Sequence, residues 1–322
     1  MKVKIGWLGG PGEYGAGIYN RMVQDVLSKH YEVQNIYTKF SGALSYIDFL
    51  SFNRKVNDYD IVIRGFHGVV SMIDDKSPKN IAILQFVPMR RRFKKFFVYS
   101  VDKIFYRNLK KVDVIVTVSK FLQEKLTKMG FENVQVIYNA FDLKMFNFSD
   151  NDLYEFKIKF NLPDKPIIYI GTCRKEKGVV EVYNSLKDLD VFLISSGKKD
   201  VNVPTLNLSL KYIDNLRLLN LSEIVITMSK IPEAWNRTAH EAMLCKTPVI
   251  GSGLGGMQEL LEGGRQIICR DFARLREIVE NLMDDSKLRK KLGEKGYKFA
   301  SNSKFTVHEF EKQWIKIIEE LI

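Results

Sequence analysis

Cysteine is scarce: three residues in 322, at Cys173, Cys245 and Cys269. Scattered and odd in number, they give neither a disulfide framework nor metal-ligand spacing. Each reads as a small core hydrophobe in a reducing compartment. Long apolar runs are missing too, and none approaches the roughly 20 residues that span a bilayer. The opening MKVKIGWLGGPGEYG enters a strand-like run at once, without a signal peptide's apolar core. The expected location is therefore cytoplasmic, with peripheral attachment to the inner face of the membrane left open. No stretch is low in complexity or depleted of apolar residues, which excludes a disordered chain.

What is present is an α/β chain of two-domain length. A hydrophobic content of 45% suffices for two packed cores of about 150 residues each. The net charge of +12 is uneven, because residues 1–150 hold +9 of it. Such a field favours anionic partners: a phosphorylated substrate, an anionic membrane or a nucleic acid.

In the first half, Val3–Leu8 reads as a strand and Gly9–Gly17 as a glycine-rich loop before a helix with Ile18, Met22, Val26 and Leu27 on one face. The spacing is not G-x-G-x-x-G, so Gly15 and Gly17 are candidates for close backbone approach to a ligand at the helix start. Strands are expected at Tyr31–Ile36, Asp60–Ile63, Ile81–Phe86, Asp113–Thr117 and Val134–Ile137, in the βαβ rhythm of a parallel sheet. Beyond the second of these, His67 sits between glycines at a strand's carboxyl end and is a candidate site residue. Beyond the third, Arg90, Arg91, Arg92, Phe93, Lys94 and Lys95 mix cations with aromatics. That composition suits acceptor contact or an anionic membrane, and it could also grip a nucleic-acid backbone.

A polar segment with Pro163 and Pro166 is the expected linker, which divides the chain into residues 1–160 and 161–304. A second set of strands follows at Pro166–Gly171, Val191–Ser196, Thr205–Leu208, Glu223–Thr227, Pro248–Gly251 and Gln266–Cys269. The stretch from Glu233 to Glu259, EAWNRTAHEAMLCKTPVIGSGLGGMQE, places two carboxylates eight residues apart around a helix start. A short strand and a glycine turn come next. Helix, strand and Gly-rich loop in that order suit a ligand site at the carboxyl edge of a parallel sheet. The last helix, Phe305–Leu321, puts Phe310, Trp314, Ile317 and Ile318 on one face.

These motifs, in this order, resemble the retaining glycosyltransferases of family 4, the "glycosyl transferases group 1". Glu233-x7-Glu241-Ala-Met, Thr247-Pro248-Val249-Ile250, Gly255-Gly256 and Glu259 are similar to that family's E-x7-E signature. Val116–Ser119, Val136–Asp142 with Phe146, and Glu176-Lys177-Gly178 resemble its other motifs. The resemblance implies the GT-B fold, two Rossmann-like doubly wound domains facing across a cleft, with residues 305–322 packing back on the first.

It further implies a retaining hexosyltransferase using a nucleoside-diphosphate sugar, such as a UDP- or GDP-hexose, by front-side displacement. No bound cofactor and no metal are expected, in keeping with the family and with the lack of an Asp-x-Asp pair after a strand. By family analogy Glu233 lies by the donor hexose and Glu241 on the ribose. Lys177 stabilises the leaving diphosphate. Asn236, Arg237 and Thr238 occupy the turn where backbone amides would meet phosphate, and Gly255, Gly256 and Met257 would border the sugar. Thr172 stands where the family usually has an Arg, which makes Arg174 the candidate substitute. The family's catalytic His is absent from Gln85–Pro88, so His67 is the remaining candidate near the site. The expected acceptor is lipid-linked or phosphorylated. The alternatives are a soluble protein or nucleic-acid acceptor, a non-catalytic sugar-nucleotide or nucleic-acid binding module, and a GT-B-fold epimerase.

Overall fold

A computed structural model describes residues 2–8, 15–36, 56–71, 73, 78–86 and 96–322. The chain divides into two compact units, residues 1–140 with 307–322, and residues 141–306.

In the first unit the strands are β1 (Lys4–Leu8), β2 (Glu32–Asn35), β3 (Ile61–Arg64), β4 (Lys79–Leu84), β5 (Val114–Thr117) and β6 (Val134–Val136). They form one parallel sheet in the order β2-β1-β3-β4-β5-β6. Unbroken burial along β3 and β5 is what a parallel sheet covered on both faces requires. Its described helices are α1 (Gly15–Ser28), α2 (Phe96–Leu109) and α3 (Lys120–Lys128), joined by the last helix, Val307–Leu321. Ser119 caps α3 by accepting from the Leu122 amide at 3.3 Å.

The buried face of α1 is rotated from the expected one. Tyr19, Val23, Val26 and Leu27 are buried, whereas Ile18 and Met22 are half-buried. Tyr19 governs this. Its ring meets Phe310 of the last helix edge-on at 5.3 Å, and its hydroxyl donates to the Ile137 carbonyl at 3.0 Å. The last helix buries Phe310, Trp314, Ile317 and Ile318.

The second unit holds β7 (Ile167–Thr172), β8 (Phe192–Ser196), β9 (Leu206–Leu208), β10 (Ile224–Thr227), β11 (Val249–Gly251) and β12 (Ile267–Ile268). All are parallel, in the order β12-β11-β10-β7-β8-β9. Its helices are α4 (Asp150–Lys159), α5 (Val179–Leu186), α6 (Tyr212–Leu221), α7 (Arg237–Leu244), α8 (Gly256–Gly263), α9 (Leu275–Asp284) and α10 (Ser286–Ala300). Ile168, Ile170, Ile224, Ile226 and Ile250 of the sheet pack with Val179, Val182, Val279 and Leu282 into one buried cluster.

The first boundary falls at 140, ahead of the expected 160. The cause is α4, which is tied to α6 by Lys159 on Asp214 at 2.8 Å and Arg217 to Asp152 at 3.8 Å. Phe141 opens the second unit, and its amide donates to the Phe305 carbonyl at 2.9 Å, beside the residue that closes it.

The strand order fixes where a ligand belongs. From β7 the chain runs outward through β8 and β9, then returns to lay β10 on the opposite side of β7. The loops leaving the carboxyl ends of β7 and β10 therefore diverge and open a crevice, the position where parallel α/β sheets bind ligands.

Candidate functional site

Three loops of the second unit converge at that crevice. The loop after β7 forms a single turn over Lys175–Lys177 and enters α5 through Gly178, whose φ is +73°. A Cβ at Gly178 would stand 2.2 Å from the Met228 carbonyl oxygen beyond β10, so backbone meets backbone here. The Lys230 amide donates to the Glu176 carbonyl at 2.8 Å and locks the same two loops together.

Across this seam Lys177 Nζ pairs with Glu233 Oε1, with both side chains partly buried. Glu233 is in turn held by the glycine turn after β11. Its amide donates to the Leu254 carbonyl at 3.0 Å, and its carbonyl accepts from the Gly256 amide at 2.7 Å. Gly255 has φ +74°, and a Cβ there would lie 2.4 Å from the Glu233 oxygen. Gly255→Ala is therefore expected to cost about 1–3 kcal/mol in strain and to displace Glu233. A thermal melt and a ligand-affinity measurement check this: both should fall, and unchanged values would show the turn to be tolerant.

The helix α7 supplies the second carboxylate. Asn236, in the left-handed region at φ 90°, caps it by accepting from the Ala239 amide at 2.8 Å. Glu241 is buried, one turn into the helix. Its Oε1 accepts from the Tyr212 hydroxyl of α6 at 3.2 Å and from Arg237 Nη2 at 3.1 Å. Burial pushes the Glu241 carboxyl up, while the Arg237 charge and the Tyr212 and Arg237 hydrogen bonds pull it back. Arg237 also lies over the Phe141 ring at 4.6 Å.

Beside Glu241, His240 is fully buried between Phe141 and Phe305, with ring centroids at 4.2 Å and 4.6 Å. Its Nδ1 accepts from the Trp235 indole at 3.1 Å, and its Nε2 faces the Ala300 carbonyl at 3.0 Å. An indole only donates and a carbonyl only accepts, so these partners select the neutral ring with its proton on Nε2. Burial holds the imidazole down to about 3, from an ordinary 6.5. The unfolded chain then binds the extra proton, and this part of the stability is present above about pH 6.5 and lost as pH falls toward 3. Urea unfolding should lose up to ~1.4 kcal/mol per pH unit in that window from this group. His240→Gln should flatten the slope, and an unchanged slope would locate it in other residues.

The expected residues separate into those the fold brings together and those it does not. Lys177, Glu233, Gly255 and Gly256 meet in the crevice. Glu241, Asn236, Arg237 and Thr238 share the first turns of α7. Arg174 is ion-paired with Glu176 and, at 3.4 Å, with Asp200. The Met257 side chain is buried, with its sulfur accepting from Ser252 Oγ at 3.7 Å and Thr227 Oγ1 at 3.9 Å. The Arg237 guanidinium reaches Glu241 and Phe141.

In the first unit Gly15 and Gly17 fall in the first turn of α1, and His67 sits in a short turn, Phe66–Val70, after β3. Both follow strands adjoining that sheet's own switch point between β1 and β3. Arg90, Arg91, Arg92, Phe93, Lys94 and Lys95 lie outside the described residues. Tyr212, Trp235 and His240 were not legible as site residues. Tyr212 lies 29 residues before the carboxylate it holds, and no local pattern connects them. Among the described residues no three His, Cys, Asp or Glu gather as a metal-ligating group, and no helix is long and apolar enough to cross a membrane.

Residues 150–299 match the family model described as "Glycosyl transferases group 1". A glycosyltransferase of Methanocaldococcus jannaschii is 27% identical over 224 residues, covering 65% of this chain and 60% of that protein. The N-acetyl-alpha-D-glucosaminyl L-malate synthase of Bacillus anthracis is 24% identical over 219 residues, covering 61% of this chain and 57% of its own length. The matched region thus spans about 60% of these curated relatives. The Anabaena protein HepE, solved with UDP and glucose, superposes with a TM-score of 0.79 at 17% identity, over 99% of this chain and 100% of that one. The fold is therefore GT-B-like, two parallel-sheet Rossmann-like domains, and the residues that match the group 1 family model lie within the second unit.

Proposed function

We propose, taking the group 1 domain of residues 150–299 as premise, that the chain is a retaining glycosyltransferase moving a hexose from a nucleoside-diphosphate sugar to an acceptor. The single observation behind this reading is the Lys177–Glu233 pair, seated where the β7, β10 and β11 loops converge at the switch point. A cation held by a carboxylate is poised to exchange partners. An arriving diphosphate takes Lys177, and Glu233 is released to accept from hexose hydroxyls.

The chemistry follows from charge. Breaking the bond between the anomeric carbon and the phosphate oxygen leaves negative charge on the diphosphate. Lys177 and the first amides of α5 stabilise it where it develops. On the same face of the sugar, the departing phosphate oxygen takes the proton of the acceptor hydroxyl as the new bond forms. The configuration is retained, and neither a metal nor a protein base is required. His67 is accordingly assigned no general-base role. Glu241 holds the ribose. Relatives of the same fold, among them HepE with UDP-glucose, bind such donors.

The acceptor is read as lipid-linked or phosphorylated, in accord with the +9 carried by residues 1–150. Co-sedimentation with vesicles should require anionic lipid and weaken as salt rises. Equal binding to neutral vesicles contradicts the lipid reading, and tight DNA binding favours a nucleic-acid acceptor. The donor reading is tested by thermal shift against UDP-, GDP- and ADP-hexoses. One should raise the melting temperature through binding to the folded state alone, and no shift from any of them would refute it.

A further inference from the structure

The two donors to Glu241 share one feature: Tyr212 Oη and Arg237 Nη2 both reach Oε1, and they lie 3.4 Å from each other. Among the described residues, every hydrogen bond to this carboxylate falls on that oxygen. Oε2 is left to accept from a ligand. The arrangement spans two helices, α6 and α7, and closes on Phe141 through the Arg237 stack at 4.6 Å.

We infer that Tyr212 and Arg237 are positioning residues, which pin Oε1 and so keep Glu241 an ionised, correctly turned acceptor for the 2′,3′-diol of a nucleotide ribose. This rests on the donor site proposed above. A buried carboxyl drifts toward its neutral form, in which one oxygen becomes a donor and a diol loses its acceptor. Two convergent donors, one of them charged, oppose that drift.

The surroundings make the effect measurable. The groups facing Glu241 from the packed elements are Tyr212, Tyr169 of β7, Cys245 and Arg237, with His240 adjacent. Burial pushes both phenols and the Cys245 thiol up, and it holds His240 down to about 3. Between pH 5.5 and 8.5 these four stay neutral, and arginine stays charged. Glu241 is then the protein group at this site whose charge can change.

Isothermal titration with UDP, GDP and ADP identifies the tightest nucleoside diphosphate. Its affinity is then followed from pH 5.5 to 8.5 in wild type, Tyr212→Phe, Arg237→Gln and Glu241→Gln. Phosphate titration is common to all four proteins and cancels in the comparison. Tyr212→Phe should bind more weakly than wild type at pH 8.5 and, relative to that value, should lose its affinity at a higher pH than wild type does as the solution is acidified. Arg237→Gln, which removes a charge, should raise that pH further. If both variants keep the wild-type profile, including the case where only their melting temperatures fall, Tyr212 and Arg237 merely hold the fold and the inference is overturned. If Glu241→Gln binds as tightly as wild type, or if no nucleotide binds wild type, the donor-site reading itself fails.

Discussion

Lys177→Ala is expected to slow sugar transfer about 10²–10³-fold, the usual loss when a group stabilising developing charge is removed. Lys177 pairs with Glu233 at the junction of the β7 and β10 loops. Its contribution should grow as the glycosidic bond breaks and charge accumulates on the diphosphate. The rate constant should therefore fall more than donor affinity does, which separates this role from simple binding. Release of nucleoside diphosphate under saturating donor and acceptor measures it. Wild-type turnover in the variant rules out leaving-group stabilisation by this residue. Glu233→Gln provides the companion measurement. Loss of the carboxylate should lower transfer while leaving nucleoside diphosphate binding largely intact, because its expected contact is the hexose.

Glu241→Gln is expected to weaken nucleoside diphosphate binding by ~1–3 kcal/mol, roughly 5- to 150-fold, as for other hydrogen bonds to a charged group. The amide keeps the size of the side chain but replaces an acceptor by a donor, and it faces the Tyr212 hydroxyl and the Arg237 guanidinium. Its oxygen can still accept from both, which leaves the amide NH2 donor where Oε2 would accept from the ribose. A modest drop in thermal stability should accompany the loss of affinity. Titration calorimetry at pH 8 reads the binding effect, and unchanged affinity would remove Glu241 from the ribose.

Much of this site could be read from sequence because its parts are local. Glu233 and Glu241 announce themselves through a helix start and eight-residue spacing. Gly255 and Gly178 occupy positive-φ turns that glycine adopts without strain. The strand rhythm likewise gave the parallel sheets, since unbroken runs such as IIYIG and IVIT are what doubly covered strands need. What sequence concealed was set by tertiary contact. The ion pairs of Arg174 with Glu176 and Asp200 carry no sequence signal. Neither does the place of the Met257 side chain beneath the turn, against Ser252 and Thr227. Tyr19 displaced the expected face of α1 because its hydroxyl found a carbonyl 118 residues away. The boundary at 140 was hidden for the same reason: the helix after the apparent linker docks forward, on α6.

The central claim is that the loops leaving β7, β10 and β11 hold the donor. Amide hydrogen exchange in the presence and absence of saturating nucleoside diphosphate tests it most directly, because bound loops open less often. The account predicts slowed exchange in two segments, residues 172–182 and 233–260, with a smaller effect near Tyr212. Protection confined to residues 15–140, or none in either segment despite saturation, would contradict it.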